Sequence, residues 1–401
     1  MIKEKHQGIA TVLAFALLPL SGFATDIYIP SLPNMAATMH TSSLQVQFTL
    51  TIFLISYGIS QLFIGSLLDS FGRYRASLVS LLIFAAASVV IANTHDIYVI
   101  YAMRIIHGIT VGAIIVGKRA YFVDLFTGDK LKHYLSLFSI IWSAGPIIAP
   151  FIGGYLQASF GWASNFYLLA GLAVGIAILE FFFSGETLEH FSDFNLKKIV
   201  DTYAGMFGTY SFVFGIMMIG LAYSMVMVYN MTGPFIIEHQ LRLTPVTAGY
   251  GALISGLAWM TGGFIGKATI HRPFFKKLLF NIGLQVLFVV AMLASISLIS
   301  NLYSLLFFAF IIHVCSGYTF NNYFTFCLSR FPKNAGIASG LTGGIMYVLV
   351  SLTSSGIVSF LPAKDETNLG YSYLLLILLS VGVMALAFRT DKKDRMSLQI
   401  A

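Results

Sequence analysis

Charge is scarce in this chain. Of 401 residues, 10% are Asp, Glu, Lys or Arg, against about 25% in a soluble domain. That excludes a water-soluble globule, because so few charges could not cover a chain that is 57% hydrophobic. Cysteine is scarcer still, with two. Cys315 and Cys327 fall in one apolar block, roughly 18 Å apart along a helix, which is too far for a disulfide within it. No cysteine–histidine cluster has metal-ligand spacing, so neither a metal nor a cofactor is expected. No paired carboxylates or histidines gather near one face as a membrane enzyme would need. No stretch reads as the appended soluble domain that a receptor would carry.

What the chain has is long apolar runs. About 20 mostly apolar residues cross the roughly 30 Å hydrocarbon layer. Such blocks lie at 8–29, 46–68, 76–93, 97–117, 134–157, 162–184, 207–231, 245–266, 277–299, 302–327, 335–361 and 371–388. They exceed the alternating strands of about ten residues that build a barrel. The expected fold is an all-α membrane protein of twelve transmembrane helices. The start resembles a signal peptide, with Lys3 and Lys5 before an apolar run and small residues at Gly22 and Ala24. The run is too long for a signal core, so it is expected to remain as the first span.

The net charge of +7 would fit a nucleic-acid partner only if it were gathered on one soluble face. It alternates instead. One set of connections carries Lys3, Lys5, Arg73, Arg75, Lys118, Arg119, Lys130, Lys132, Lys197 and Lys198. The same set continues with Lys267, Arg272, Lys276, Lys277, Arg330, Lys333, Arg389, Lys392, Lys393 and Arg395; the other carries only Arg242 and Lys364. The positive-inside rule puts the first set in the cytoplasm. Both termini then lie there, and the partner is the lipid bilayer rather than nucleic acid.

The longest hydrophilic stretch, from Gly185 to about Gly205, divides six spans from six. This predicts an N-terminal bundle over 1–184, a linker over 185–206 and a C-terminal bundle over 207–401. Phe63-Ile64-Gly65 recurs as Phe264-Ile265-Gly266, and Pro33 recurs as Pro234, both at an offset of 201 residues. Repeats of this kind build many secondary transporters.

Three segments carry chemistry. After span two comes Gly65-Ser-Leu-Leu-Asp69-Ser-Phe-Gly72-Arg73-Tyr-Arg75. Gly65 and Gly72 permit a tight turn, Asp69 can accept from a neighbouring helix N-terminus, and Arg73 is close enough to pair with it. Read blandly, this is a charged turn. In span four, Arg104-Ile-Ile-His107-Gly108 places an arginine about a third of the way into the bilayer, where it needs a partner. In span five, Gly145-Pro146-Ile-Ile-Ala-Pro150-Phe-Ile-Gly153-Gly154 joins two proline sites to small faces for close packing.

Together and in this order these segments resemble the major facilitator superfamily, namely its loop signature, its fourth-helix arginine motif and its fifth-helix antiporter motif. Three further stretches resemble the Bcr/CflA drug:proton antiporters: Thr25-Asp26-Ile-Tyr-Ile-Pro30-Ser-Leu-Pro33, Arg119-Ala-Tyr-Phe-Val-Asp124-Leu-Phe126 and Gly185-Glu186-Thr187-Leu188. Ser66, Ser70, Tyr74 and Val123 depart from that pattern and mark a divergent branch. The resemblance implies the major facilitator fold, two pseudo-symmetric six-helix bundles. It makes Gly65, Asp69, Gly72, Arg73, Gly145, Pro146, Pro150, Gly153 and Gly154 candidates for conformational gating.

Asp26 is the sole acidic residue of the first span and is placed near its outer end, where it would otherwise meet water. A carboxylate whose surroundings alternate can take up and release a proton. Arg104 is its natural counter-charge, although it could equally tie helix-end carbonyls. His107 lies one turn away on the same face and could join a relay or simply pack. Glu180 is expected to reach water, and the C-terminal half is expected to hold no buried carboxylate. The resemblance implies that helices one, four, seven and ten line a cavity. Tyr28, Tyr223, Met227, Tyr229, Asn230, His313, Tyr318, Asn321, Asn322 and Tyr323 are then substrate candidates, and an aromatic and methionine wall suits an amphipathic ligand. The leading expectation is a monomeric, proton-driven exporter of a small organic compound in a bacterial inner membrane. A transporter of a dedicated metabolite (siderophore, sugar or amino acid derivative) and a non-transporting receptor are the alternatives.

Overall fold

The computed structural model describes residues 6–188, 191, 196–331 and 335–400. Lys3, Lys5 and Lys333 lie outside the described residues, as does part of the expected linker. Among the described residues the chain forms twelve long helical segments and no strand. They are α1 (Gln7–Thr38), α2 (Ser43–Phe71), α3 (Arg73–Asn93), α4 (Ile97–Leu125), α5 (Gly128–Phe160) and α6 (Ala163–Phe183). A linker helix, Leu196–Phe207, leads to α7 (Tyr210–Gln240), α8 (Pro245–Ala268) and α9 (Phe274–Ser295). The last three are α10 (Leu302–Arg330), α11 (Ala335–Phe360) and α12 (Glu366–Ile400). Ten are long and apolar enough to cross a membrane by length and composition; α5 and α8 complete the twelve.

The helix ends follow from local chemistry. Ser42 and Gln45 form a capping box at the start of α2, and Asn301 and Ser304 form one at the start of α10. The Asp96 carboxylate accepts from the Tyr98 amide at 2.8 Å and caps α4. Gly72, at φ 92°, ends α2 in a conformation that favours glycine. Gly65 makes no turn, because α2 runs straight through it; its expected role in the loop falls to Gly72 alone.

The first span departs most from expectation. It is helical over Gln7–Ala16 and Leu20–Asp26, tightens into a 3₁₀ turn at Ile29–Ser31, and resumes over Leu32–Thr38. Pro19, Pro30 and Pro33 lack the amide hydrogen that would keep one helix continuous. Because the segment runs on to Thr38, Asp26 sits near its middle rather than at its outer end.

The chain divides into two compact units. The first comprises Met1–Lys197 with Thr244–Tyr250; the second comprises Lys198–Leu243 with Gly251–Ala401. In the first, α2 packs along α4, α3 packs on α4 and α6, and α1 packs on α5. In the second, α7 packs against α10, α11 and α12. Glycines set the closest crossings. A Cβ on Gly108 would stand 2.7 Å from the Phe53 carbonyl on α2. In the second unit, Gly262 faces the Val314 carbonyl and Gly317 faces that of Trp259, so α8 and α10 touch through backbone.

Candidate functional site

Arg104 is fully buried on α4, and its guanidinium is held by main chain and rings. Its Nη1 donates to the Ala24 carbonyl at 2.8 Å and its Nε to that of Thr49 at 3.4 Å. Its guanidinium carbon lies 4.3 Å from the Phe53 ring centre and 4.9 Å from that of Tyr28. Ala24 bonds this arginine because α1 turns at Ile27–Tyr28 and exposes a carbonyl that a continuous helix would consume. Asp26 is 1% exposed, not in water, and interacts electrostatically with Arg104. Tyr28 is also buried, its hydroxyl bonded to Thr49 Oγ1 at 2.8 Å.

His107 belongs to the same cluster. Arg104 Nη1 donates to His107 Nδ1 at 3.3 Å, so that nitrogen carries no proton. Nε2 then donates to Ser88 Oγ at 3.0 Å, and Ser88 donates onward to the Phe84 carbonyl at 2.9 Å. The ring also stacks on Phe84 at 4.3 Å. In this arrangement the histidine is the neutral tautomer that orients the arginine.

Beside the cluster runs a glycine seam between α1 and α5. A Cβ on Gly145 would stand 2.6 Å from the Pro19 carbonyl, and one on Gly22 would overlap the Pro146 ring. Gly153 faces the Ile27 carbonyl so closely that no side chain fits. Pro146 and Pro150 lie inside α5, and Gly154 is buried next to Gly153.

At the α2–α3 turn, Arg73 pairs with Asp69 at 2.7 Å and with Asp124 of α4. Asp69 was expected to accept from a helix N-terminus; Glu186 does so instead. It takes the Arg73 and Tyr74 amides at 3.1 Å each and caps α3. Thr187 Oγ1 donates to Asp124 at 2.8 Å, so the stretch after α6 clasps both α3 and α4.

Two charges expected in water are inside. Glu180 is 1% exposed and bonds Lys118 Nζ at 2.6 Å. Lys118 is thus not a loop charge, since α4 continues to Leu125 and carries it inward.

In the second unit, His313 on α10 is bonded to Ser255 Oγ of α8 at 2.7 Å and Tyr373 Oη of α12 at 3.0 Å. The Tyr229 ring of α7 meets it edge-on at 5.4 Å, with its hydroxyl buried and unbonded. The other candidates do not join this cluster. Tyr223 packs against Trp259 and Tyr347. Tyr318 bonds Thr269, Asn322 bonds the Tyr318 carbonyl, and Tyr323 lies on Phe274. Met227 and Asn230 are buried along α7, and Asn321 is half-buried beside Gly266. The expectation that this half holds no buried carboxylate is wrong. Glu366 is 2% exposed, accepts from Ser300 at 2.9 Å, and its amide donates to Gln240 Oε1 at 3.1 Å. It begins α12 earlier than its apolar run does.

The broken first helix, the arginine of α4, the glycine seam and the clasped turn can be set beside known proteins. The description of the Major Facilitator Superfamily matches residues 14–354. The chain belongs to that superfamily. Like the superfamily's other members it is a multi-pass membrane transporter and not an enzyme. It is 29% identical over 337 residues to an uncharacterized MFS-type transporter, YdgK of Bacillus subtilis, covering 82% of this facilitator and 83% of that one. Multidrug resistance protein MdtL of Shewanella oneidensis is 27% identical, covering 92% of each chain. Multidrug resistance protein D of Escherichia coli is 25% identical, covering 94% and 95%. In fold the facilitator superposes on a D-xylose-proton symporter with a TM-score of 0.70 at 15% identity, over 92% of this chain and 96% of that one.

Sequence reasoning missed Ser88, Ser255 and Tyr373, which fix the two histidines. Hydroxyls inside apolar helices are common, and only the fold selects these three.

Proposed function

We propose that this facilitator exports a small amphipathic organic compound in exchange for protons, by alternating access, as a monomer in the bacterial inner membrane. The observation that carries the reading is the buried Asp26–Arg104–His107 cluster. It sets a carboxylate beside a fixed cation at the break in α1, next to a seam that admits no side chain. Protonation of Asp26 would cancel the local neutrality between carboxylate and guanidinium. Arg104 would then be free to turn from the Ala24 and Thr49 carbonyls. The names of the relatives MdtL and multidrug resistance protein D support a drug-like cargo. Tyr229 and His313 would bind it, since a buried hydroxyl without a partner can take a polar group of a ligand. Asp69, Gly72, Arg73 and the α1–α5 glycines would gate. The charge pattern of the connections supports cytoplasmic termini.

The test is substrate-induced proton release from vesicles holding the purified protein, with candidates drawn from the resistance profile of cells that overproduce it. Release that follows a drug-like compound carries the reading. Transport of a sugar, siderophore or amino acid derivative alone would move it to a dedicated metabolite carrier. Cargo movement without proton movement would end it.

A further inference from the structure

Tyr28 is fully buried and stands where α1 breaks, at the entry to the 3₁₀ turn. A buried tyrosine hydroxyl needs a partner, and here it is Thr49 Oγ1 of α2, at 2.8 Å. The direction of that bond is fixed. Thr49 Oγ1 has a single hydrogen and donates it to the Val46 carbonyl at 2.6 Å. It can therefore only accept from Tyr28. The main chain of the same threonine takes Arg104 Nε at 3.4 Å. Thr49 thus holds the tyrosine with its side chain and the guanidinium with its carbonyl. The Tyr28 ring lies 4.9 Å from the guanidinium carbon, and Phe166 of α6 backs that ring at 5.2 Å. The Tyr28 hydroxyl lies in the field of both Arg104 and Asp26. Arg104 Nη2 is buried without a hydrogen-bond partner, so acceptors do not saturate the fork and ring faces share in holding it.

We infer that Tyr28 and Thr49 are positioning residues of the coupling site: Thr49 seats the Tyr28 ring against Arg104 and so fixes where the guanidinium rests. The inference rests on the proton-coupled reading above. It moves Tyr28 from the expected ligand wall into the coupling cluster, since a ring with no exposed face has none to offer a cargo. With the hydroxyl pair intact, Arg104 leaves the Ala24 and Thr49 carbonyls only once Asp26 is protonated. With the pair broken, Tyr28 loses its anchor on α2 and its ring no longer confines the guanidinium. The arginine then turns without waiting for the proton, and part of the cycles carry cargo alone.

Nitrogen NMR of the arginine side chains, on the purified full chain in bilayers, tests this without substrate or proton gradient. The Arg104 Nε signal is the one that Arg104→Lys removes. It is expected to move in Tyr28→Phe and in Thr49→Val, which keeps the carbonyl and loses the hydroxyl. It is expected to hold its wild-type place in Thr49→Ser, which keeps both. A signal that neither Tyr28→Phe nor Thr49→Val moves overturns the inference, and so does one that Thr49→Ser displaces equally. The second readout is protons released per cargo molecule in vesicles, a ratio that does not depend on how much protein folds. Breaking the pair is expected to raise the share of proton-free cycles by about two- to tenfold, the worth of one hydrogen bond. The double variant Tyr28→Phe, Thr49→Val should match either single one, because all three remove the same interaction. A raised KM at an unchanged ratio in Tyr28→Phe makes the tyrosine a cargo contact and overturns the positioning role. If the wild type releases no protons while the Arg104 signal still answers to Thr49, the proton-coupled reading falls and the positioning stands.

Discussion

Each unit buries a histidine on its fourth helix, and the two are satisfied in opposite ways. His107 serves a cation, accepting from Arg104 and donating to Ser88, with Asp26 in the field of the same arginine. His313 meets only hydroxyls, Ser255 and Tyr373, and no charged group bonds it among the described residues. A histidine bonded to an arginine that itself lies in the field of a carboxylate can feel a proton arrive nearby. A histidine between two hydroxyls presents a neutral polar surface. From this difference we propose that coupling lies in the first unit and ligand contact in the second.

The largest effect that could break this contrast comes from exchanging the acid. Asp26→Asn is expected to abolish substrate-induced proton release while the protein still inserts. His313→Gln is expected to keep the ratio of protons to substrate and lower affinity alone. Equal loss of proton release in both would merge the two sites into one.

Arg104→Lys comes next. Lysine keeps the charge but loses the planar fork that reaches two carbonyls and a histidine. Transport normalised to folded protein should fall by about tenfold or more, roughly 1.4 kcal/mol or more of lost stabilisation. Near-normal transport by Arg104→Ala would mean that the first unit holds no working cation there.

The seam offers a third test. Gly145→Leu cannot be seated against the Pro19 carbonyl, so transport should stop although the helices insert. Normal rates would show that α1 and α5 need not touch during the cycle.

The smallest effect separates a waiting hydroxyl from a used one. Tyr229→Phe removes a buried group without a partner, so stability should hold or rise by up to about 1–3 kcal/mol, while substrate affinity drops. Tyr373→Phe removes a bond to His313 and should cost about 0.5–1.5 kcal/mol in thermal unfolding. If both variants lower stability equally, the Tyr229 hydroxyl is not held in reserve.

The twelve helices could be read from the chain because each must be apolar for a membrane's length, a property of single segments. Arg104 and His107 could be read because a charge inside such a segment demands a use. Glu180 and Glu366 could not. Each stands where an apolar run begins or ends, and only a partner from elsewhere in the chain decides whether it is buried, Lys118 of α4 for one and Ser300 of the α9–α10 connection for the other. The break at Asp26 was hidden for a related reason. Pro30 and Pro33 read as the end of a span, whereas the chain turns and continues, and the glycines of α5 let it pack directly against that backbone.

That dependence has a consequence for how the protein is made. Gly145 is synthesised long after Pro19 and Ile27, on the order of ten seconds later at usual elongation rates of about 5–20 residues per second. Throughout that interval the interrupted first helix sits in the bilayer without the α5 face it packs against. Its packing on α5 therefore waits until α2, α3 and α4 have been made. The nascent chain is therefore expected to resist proteolysis less before its fifth helix emerges than after it.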